Sequence, residues 1–166
     1  MILDSSVLVA ILKGESDAAE LLSIASGSAS LSIGAPTLVE TSIVVGPDRR
    51  GDLDELLTGL RVSVVDFGAQ HVDAARDAYD RFGRGSGSPA RLNYGDVMSY
   101  AVATVAGELL LFKGDDFTHT DVATAMPTNP MLTPWMSPVA SRNCQPSTST
   151  APARPAKAPE MAMARK

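Results

Sequence analysis

Short apolar runs alternate with segments of helical period along the first 127 residues, and few folds accommodate that order. Met1, Ile2 and Leu3 form an apolar run ending at Asp4. Val7, Leu8, Ile11 and Leu12 then fit one helix face closed by Gly14. A second helix opens at Ser16, residues 30–33 read as a short strand, and Pro36 suits the first turn of a third helix, which contains Glu40. Gly46, Pro47 and Gly51 mark a loop before Leu53, Leu56, Leu57 and Leu60, which recur at helical spacing. Residues 61–67 are rich in β-branched side chains and predict another strand. Residues 69–82 carry an amphipathic helical pattern that includes His71 and Tyr79, broken by the glycine-rich stretch 83–88. Asn93 can cap a helix with Tyr94, Met98, Ala101, Val102 and Val105 inward and Asp96 in its first turn, ended by Gly107. Residues 109–112 suit a buried strand, after which Gly114 turns the chain into Asp115 and Asp116. This alternation predicts an α/β fold with a mostly parallel central sheet flanked by helices.

The composition changes near residue 128. Residues 128–166 hold seven of the eleven prolines, the only Trp and the only Cys. Residues 1–127 carry 9 basic and 18 acidic side chains, a net charge of −9, whereas the remainder carries 5 basic and 1 acidic, a net of +4. A stretch rich in Pro, Ala, Ser and Thr without hydrophobic period buries too little surface to offset chain entropy. The expectation is a folded domain over 1–127 and a disordered tail over 128–166. No apolar stretch is long enough to cross a bilayer, Asp4 interrupts what would be a secretory signal, and Cys144 has no partner for an internal disulfide. These features predict a cytoplasmic protein.

Functional residues of parallel α/β sheets collect beyond the carboxyl ends of the strands. Asp4 and the Asp115/Asp116 pair follow strand candidates directly, and Glu40 and Asp96 can reach the same edge from helix starts. Convergent carboxylates repel, so each takes up a proton unless a cation compensates. An all-oxygen ligand set without a zinc-type Cys or His cluster favours Mg²⁺ or Mn²⁺, and the chemistry that fits is attack of a metal-activated water on a phosphodiester. Every one of these acids except Asp4, which directly follows a buried strand and is badly placed for mere solubility, also has a plainer role open to it. Asp96 suits a helix dipole, Glu40 beside Leu38, Ile43 and Val44 suits an outer helix face, and Asp115 and Asp116 suit an ordinary turn.

Four segments together resemble a known family. Met1-Ile-Leu-Asp4-Ser-Ser6, Leu38-Val-Glu40-Thr, Leu92-Asn-Tyr-Gly-Asp96 and Leu110-Leu-Phe-Lys-Gly-Asp-Asp116-Phe, followed by Thr120-Asp121, resemble the four acidic motifs of PIN-domain ribonucleases, above all the VapC toxins of bacterial VapBC modules. The resemblance runs in order from residue 1 to about residue 122. It implies a PIN-like three-layer fold and a Mg²⁺- or Mn²⁺-dependent endoribonuclease with Asp4, Glu40, Asp96 and an acid of the Asp115/Asp116 pair at the metal. Asp116 is favoured, with Asp115 close behind. Ser6 matches the small hydroxyl residue of the first motif and would support a site carboxylate. Two residues before the last acid, where many PIN domains carry Thr or Ser, this chain has Lys113 or Gly114. The resemblance also implies a VapB-like antitoxin that inserts a segment against the acidic site, and a homodimer or toxin–antitoxin hetero-oligomer.

An RNA substrate conflicts with a net charge of −9, and no basic run is visible. Arg81, Arg84 and Arg91, flanking the glycine-rich loop, are the best candidates for phosphate contacts. A metal-free ribonuclease using His71 and His119 ranks lower, because His71 fits a structural helix face and His119 a turn. Two further readings compete: an inactive domain that only binds an antitoxin, and a phospho-acceptor receiver domain. The second usually pairs acids at its first strand, where this chain has Ser5 and Ser6 after Asp4.

Overall fold

The computed structural model describes residues 1–125; the expected tail lies outside the described residues. The chain runs β1 (Ile2–Leu3), α1 (Ser5–Lys13), α2 (Ala18–Ser26), β2 (Ser32–Gly34), α3 (Ala35–Val45), a 3-10 turn (Pro47–Arg49), α4 (Arg50–Gly59), β3 (Ser63–Val65), α5 (Ala69–Phe82), α6 (Tyr94–Ala106) and β4 (Leu110–Leu111). The four strands form one parallel sheet in the order β3-β2-β1-β4, with Ile2 paired to Ser32 and Leu110 and with Leu3 paired to Leu111. Residues 123–125 extend the sheet beside β4, where Leu110 N–H donates to the Ala123 carbonyl and Ala125 N–H to the Leu110 carbonyl.

Alternation along the strands divides the core into two layers. Ile2, Leu110 and Phe112 pack on one face with Ala75 and Ala78 of α5 and Val97, Tyr100 and Ala101 of α6. Leu3, Ile33 and Leu111 pack on the other with Val7 and Leu8 of α1, Leu21 of α2 and Leu53 of α4. Helices therefore cover both faces of the central strands β1 and β4, which are apolar throughout, whereas β3 at the sheet edge is largely exposed. Gly34 lets α6 approach β2 closely, since a Cβ there would meet Val102 Cγ2 at 2.9 Å.

Several boundaries differ from the expected ones. Gly51 lies inside α4, because the turn at Pro47–Arg49 leads directly into helix at Arg50. Tyr94, expected inward, is 75% exposed, and Tyr79 and Val105 are also exposed. The first turn of α6 projects past the sheet edge, so burial begins at Val97 and then spreads over Ser99, Tyr100, Ala101, Val102 and Ala103. Among the described residues no helix is long and apolar enough to cross a membrane.

Candidate metal and active site

Asp4 lies where β1 becomes α1 and is only 5% exposed. It caps α1: Oδ2 accepts from Ser6 N–H at 3.0 Å and from the Ser6 hydroxyl at 2.6 Å. The same Ser6 oxygen accepts the Lys113 backbone N–H at 3.0 Å. One hydroxyl thus ties together the ends of β1 and β4 and the start of α1.

Asp96 is fixed by the reciprocal cap of α6. Asn93 Oδ1 accepts from Gly95 N–H at 2.7 Å and Asp96 N–H at 3.1 Å, while Asp96 Oδ2 accepts from Asn93 N–H at 2.6 Å. Glu40 projects from the second turn of α3 against the first turn of α6, beside Gly95. Thr37 and Ser99, buried and hydroxyl to hydroxyl at 3.2 Å, lock the crossing of these two helices. Asp115 and Asp116 occupy the exposed turn after β4, where Phe117 buries its ring edge-on to Phe112 at 5.0 Å.

The electrostatics link these four segments. Burial raises the Asp96 carboxyl to about 6 against the backbone hydrogen bond from Asn93, and the charges of Asp116, Asp4 and Glu40 add to the rise. Burial likewise raises Glu40, with the Asp4 charge adding and the Ser5 hydroxyl opposing. Among the described residues no cationic side chain acts on either group. Asp116 is among the charges felt by Asp96 and Asp115 is not; the Asp115 backbone carbonyl instead accepts from Thr118 N–H and Oγ1.

Lys113 turns away from the carboxylates and pairs with Glu15 and, at 2.8 Å, with Asp17, tying the α1–α2 connection to β4. Asp4 and Asp96 each engage Oδ2 in a cap, and their Oδ1 atoms accept no hydrogen bond among the described residues. Free, mutually repelling oxygens from an all-carboxylate set suit a hard divalent cation. Among the described residues no three His, Cys, Asp or Glu side chains already close to ligand distance around a single point.

The three arginines separate. Arg81 holds Asp77 at 3.2 Å and Asp121 at 2.5 Å and lies over the Phe82 ring. Arg84 and Arg91 are exposed and make no ion pair among the described residues; they flank the bridge between Gly83 and Leu92 that leads into Asn93. Arg91 adopts a left-handed backbone, φ 51°. His71 Nδ1 accepts from Gly68 N–H at 3.0 Å and its ring lies against Phe67, a helix-capping role.

Sequence reasoning did not single out Gly95 or Tyr100. Gly95 lies inside the third acidic motif, adjacent to Asp96. Tyr100 falls outside the apolar face read from the sequence, yet it is buried and its hydroxyl donates to Asp121 Oδ1 at 2.5 Å.

The PIN domain family profile matches residues 1–123. Ribonuclease VapC42 of Mycobacterium tuberculosis is 44% identical over 131 residues, covering 75% of this chain and 98% of that protein. Ribonuclease VapC30 of the same species is 39% identical over 128 residues, covering 75% and 97%. Among solved structures, Mycobacterium tuberculosis VapC20, a sarcin-ricin loop cleaving toxin, superposes with a TM-score of 0.60 at 16% identity, over 76% of this chain and 98% of that one. VapBC2 from Rickettsia felis, bound to a promoter DNA fragment, gives 0.58 at 16% identity over 74% and 94%.

Proposed function

The chain belongs to the PIN-domain family and is a VapC ribonuclease toxin of a toxin–antitoxin system, and from that premise we propose that its carboxylate cluster holds Mg²⁺ or Mn²⁺ and hydrolyses RNA internally. The observation that carries this reading is the convergence of four segments on Asp96: the charges of Asp116, Asp4 and Glu40 act on it and that of Asp4 acts on Glu40, with no cation acting on either among the described residues. Asp4 and Asp96 offer their free Oδ1 atoms as ligands, Asp116 completes the negative side of the site, and Asp115 stands by in the same turn. A bound divalent ion supplies the charge that offsets the phosphate and lowers the pKa of a water nucleophile. Glu40, raised by burial, is suited to take the proton that water gives up as the new bond to phosphorus forms and the bond to the leaving oxygen breaks. Ser6 holds Asp4 in place by donating its N–H and hydroxyl to Oδ2.

Arg84 and Arg91 contribute phosphate contacts from the loop leading to Asp96, and Arg81 contributes only if it leaves Asp77 and Asp121. A VapB-like antitoxin is the expected protein partner. An exposed apolar groove lined by Val39, Ile43, Val44, Tyr94 and Met98 runs beside Glu40, and a face of that kind is covered by protein, whether antitoxin or a second copy. An antitoxin arginine placed among the carboxylates would displace metal and silence the site. The folded unit is assigned to 1–127 and the protein to the cytoplasm, where its substrate is found.

The deciding experiment compares RNA fragments produced by the full chain in Mg²⁺ and in chelator, with Asp4→Asn alongside. Internal cleavage that needs metal and is absent in Asp4→Asn supports the assignment. Cleavage that survives the chelator or the substitution overturns it, and partner binding without metal affinity leaves an inactive, antitoxin-binding domain.

A further inference from the structure

We propose that Tyr100, Asp121 and Arg81 form a clasp that positions the turn carrying Asp116, and thereby sets how tightly the carboxylate site holds a divalent cation. The proposal builds on the metal-site reading above. Tyr100 lies one helical turn after Asp96 on α6, so the acid and the clasp share one rigid element. Asp121 closes the far end of the turn that begins at Lys113. Its two oxygens are both engaged, Oδ1 by the Tyr100 hydroxyl at 2.5 Å and Oδ2 by Arg81 Nη2 at 2.5 Å. Arg81 is itself held by Asp77 one turn earlier on α5, and it lies 4.5 Å over the Phe82 ring.

Between the two ends the turn is braced by backbone bonds. Thr118 N–H donates to the Asp115 carbonyl, Thr120 N–H donates to the Phe117 carbonyl, and Phe117 is buried against Phe112. Asp116 is exposed and makes no hydrogen bond of its own among the described residues. Its place relative to Asp96 is therefore set by the anchors of the turn, and the clasp is the anchor attached to the helix that carries Asp96. An exposed arginine on an acidic domain has an obvious use in RNA binding; here its guanidinium is committed to two carboxylates. Tyr100, Asp121 and Arg81 are positioning residues, acting on the ion through Asp116.

The test is direct Mn²⁺ titration of the purified full chain by calorimetry, with thermal unfolding and RNA cleavage measured in parallel. Tyr100→Phe removes the hydroxyl that donates to Asp121, and Asp121→Asn removes the charge and one of the two oxygens that accept from Tyr100 and Arg81; both keep the shape of the side chain. Each is expected to weaken Mn²⁺ binding about tenfold, the order seen when outer-shell supports of metal ligands are removed. Cleavage should return toward the parental rate at saturating Mn²⁺, and the double variant should lose less than the product of the two single losses, because both act on one clasp. Asp116→Asn is the control. If it weakens Mn²⁺ binding while both clasp variants bind as the parent does, the clasp proposal is overturned and the metal site stands. If Asp116→Asn itself binds as the parent does, Asp116 is no ligand and the clasp proposal falls with that assignment. Asp121→Asn, at an exposed position, carries the test alone should Tyr100→Phe fail to fold.

Discussion

Gly95 lies so close to the Glu40 carboxylate that a Cβ on it would meet Oε2 at 2.7 Å and Cδ at 2.8 Å. The glycine is in ordinary helical backbone at the start of α6, so its requirement is space for an acid from another helix. Gly95→Ala separates stability from function. Alanine favours the helix by up to about 1 kcal/mol, and the flexible end of Glu40 can swing aside at little cost. The variant is expected to unfold at the parental temperature or slightly above it. The displaced carboxylate should weaken Mn²⁺ binding and slow cleavage about tenfold, as for lost supports of a metal site. Parental Mn²⁺ affinity would show that Glu40 does not serve the ion where it stands.

Ser6→Ala removes a charge-assisted hydrogen bond to Asp4 and the acceptor for Lys113 N–H together. The expected loss is about 2 kcal/mol in urea unfolding, with reduced Mn²⁺ affinity because Asp4 loses its brace. Ser6→Thr keeps the hydroxyl and should recover most of both. If Ser6→Ala loses stability with unchanged Mn²⁺ affinity, Ser6 serves only the fold.

The acids at the strand ends were legible because their context is local. Asp4 follows a fully apolar run and precedes a helical pattern, and Asn93 with Asp96 spells a cap on its own. Between Asp115 and Asp116 the sequence favours Asp116 by resemblance alone; the charges that act on Asp96 across the sheet edge include Asp116 and not Asp115. Tyr94 differs for a related reason: its helical phase fits the apolar stripe, but burial along α6 begins only at Val97, and among the described residues Tyr94 stays 75% exposed. Arg81 pairs with Asp77 one helical turn before it, a spacing visible in the sequence, and with Asp121, which is forty residues away and is not. Periodicity reports which face of an element is apolar; it does not report where the neighbouring element ends.

Asp116→Asn and Asp115→Asn separate the paired acids. Both are exposed turn positions, so neither substitution should alter the unfolding temperature appreciably. Asp116→Asn removes a charge felt by Asp96 and is expected to lower the Asp96 pKa and abolish most cleavage. Asp115→Asn should leave both nearly unchanged. Carboxyl NMR shifts across a pH titration, with cleavage assays at one Mn²⁺ concentration, read both effects. The reverse pattern would assign the fourth acid to Asp115.

The Asp96 carboxyl titrates near 6 in the metal-free fold and near 3.8 in an unfolded chain. Between those values the folded state binds the extra proton, so the contribution of Asp96 to stability falls as pH rises through that window and is flat above it. This is the reverse of the usual carboxylate, whose folded pKa is lowered. Asp96→Asn removes the penalty: the metal-free variant should unfold at a higher temperature than the parent at pH 7, with the difference shrinking toward pH 4. It should also lose cleavage, because the carboxylate that destabilises the empty site is the one that would bind the ion. Mn²⁺ should act in the opposite sense on the parent, raising its unfolding temperature more at pH 7.5 than at pH 5, where protons compete for the same oxygens. Scanning unfolding temperature against pH with and without Mn²⁺, for parent and Asp96→Asn, tests both halves. An equal Mn²⁺ shift at the two pH values, or an Asp96→Asn variant no more stable than the parent at pH 7, would detach this carboxylate from the metal and leave it a helix cap alone.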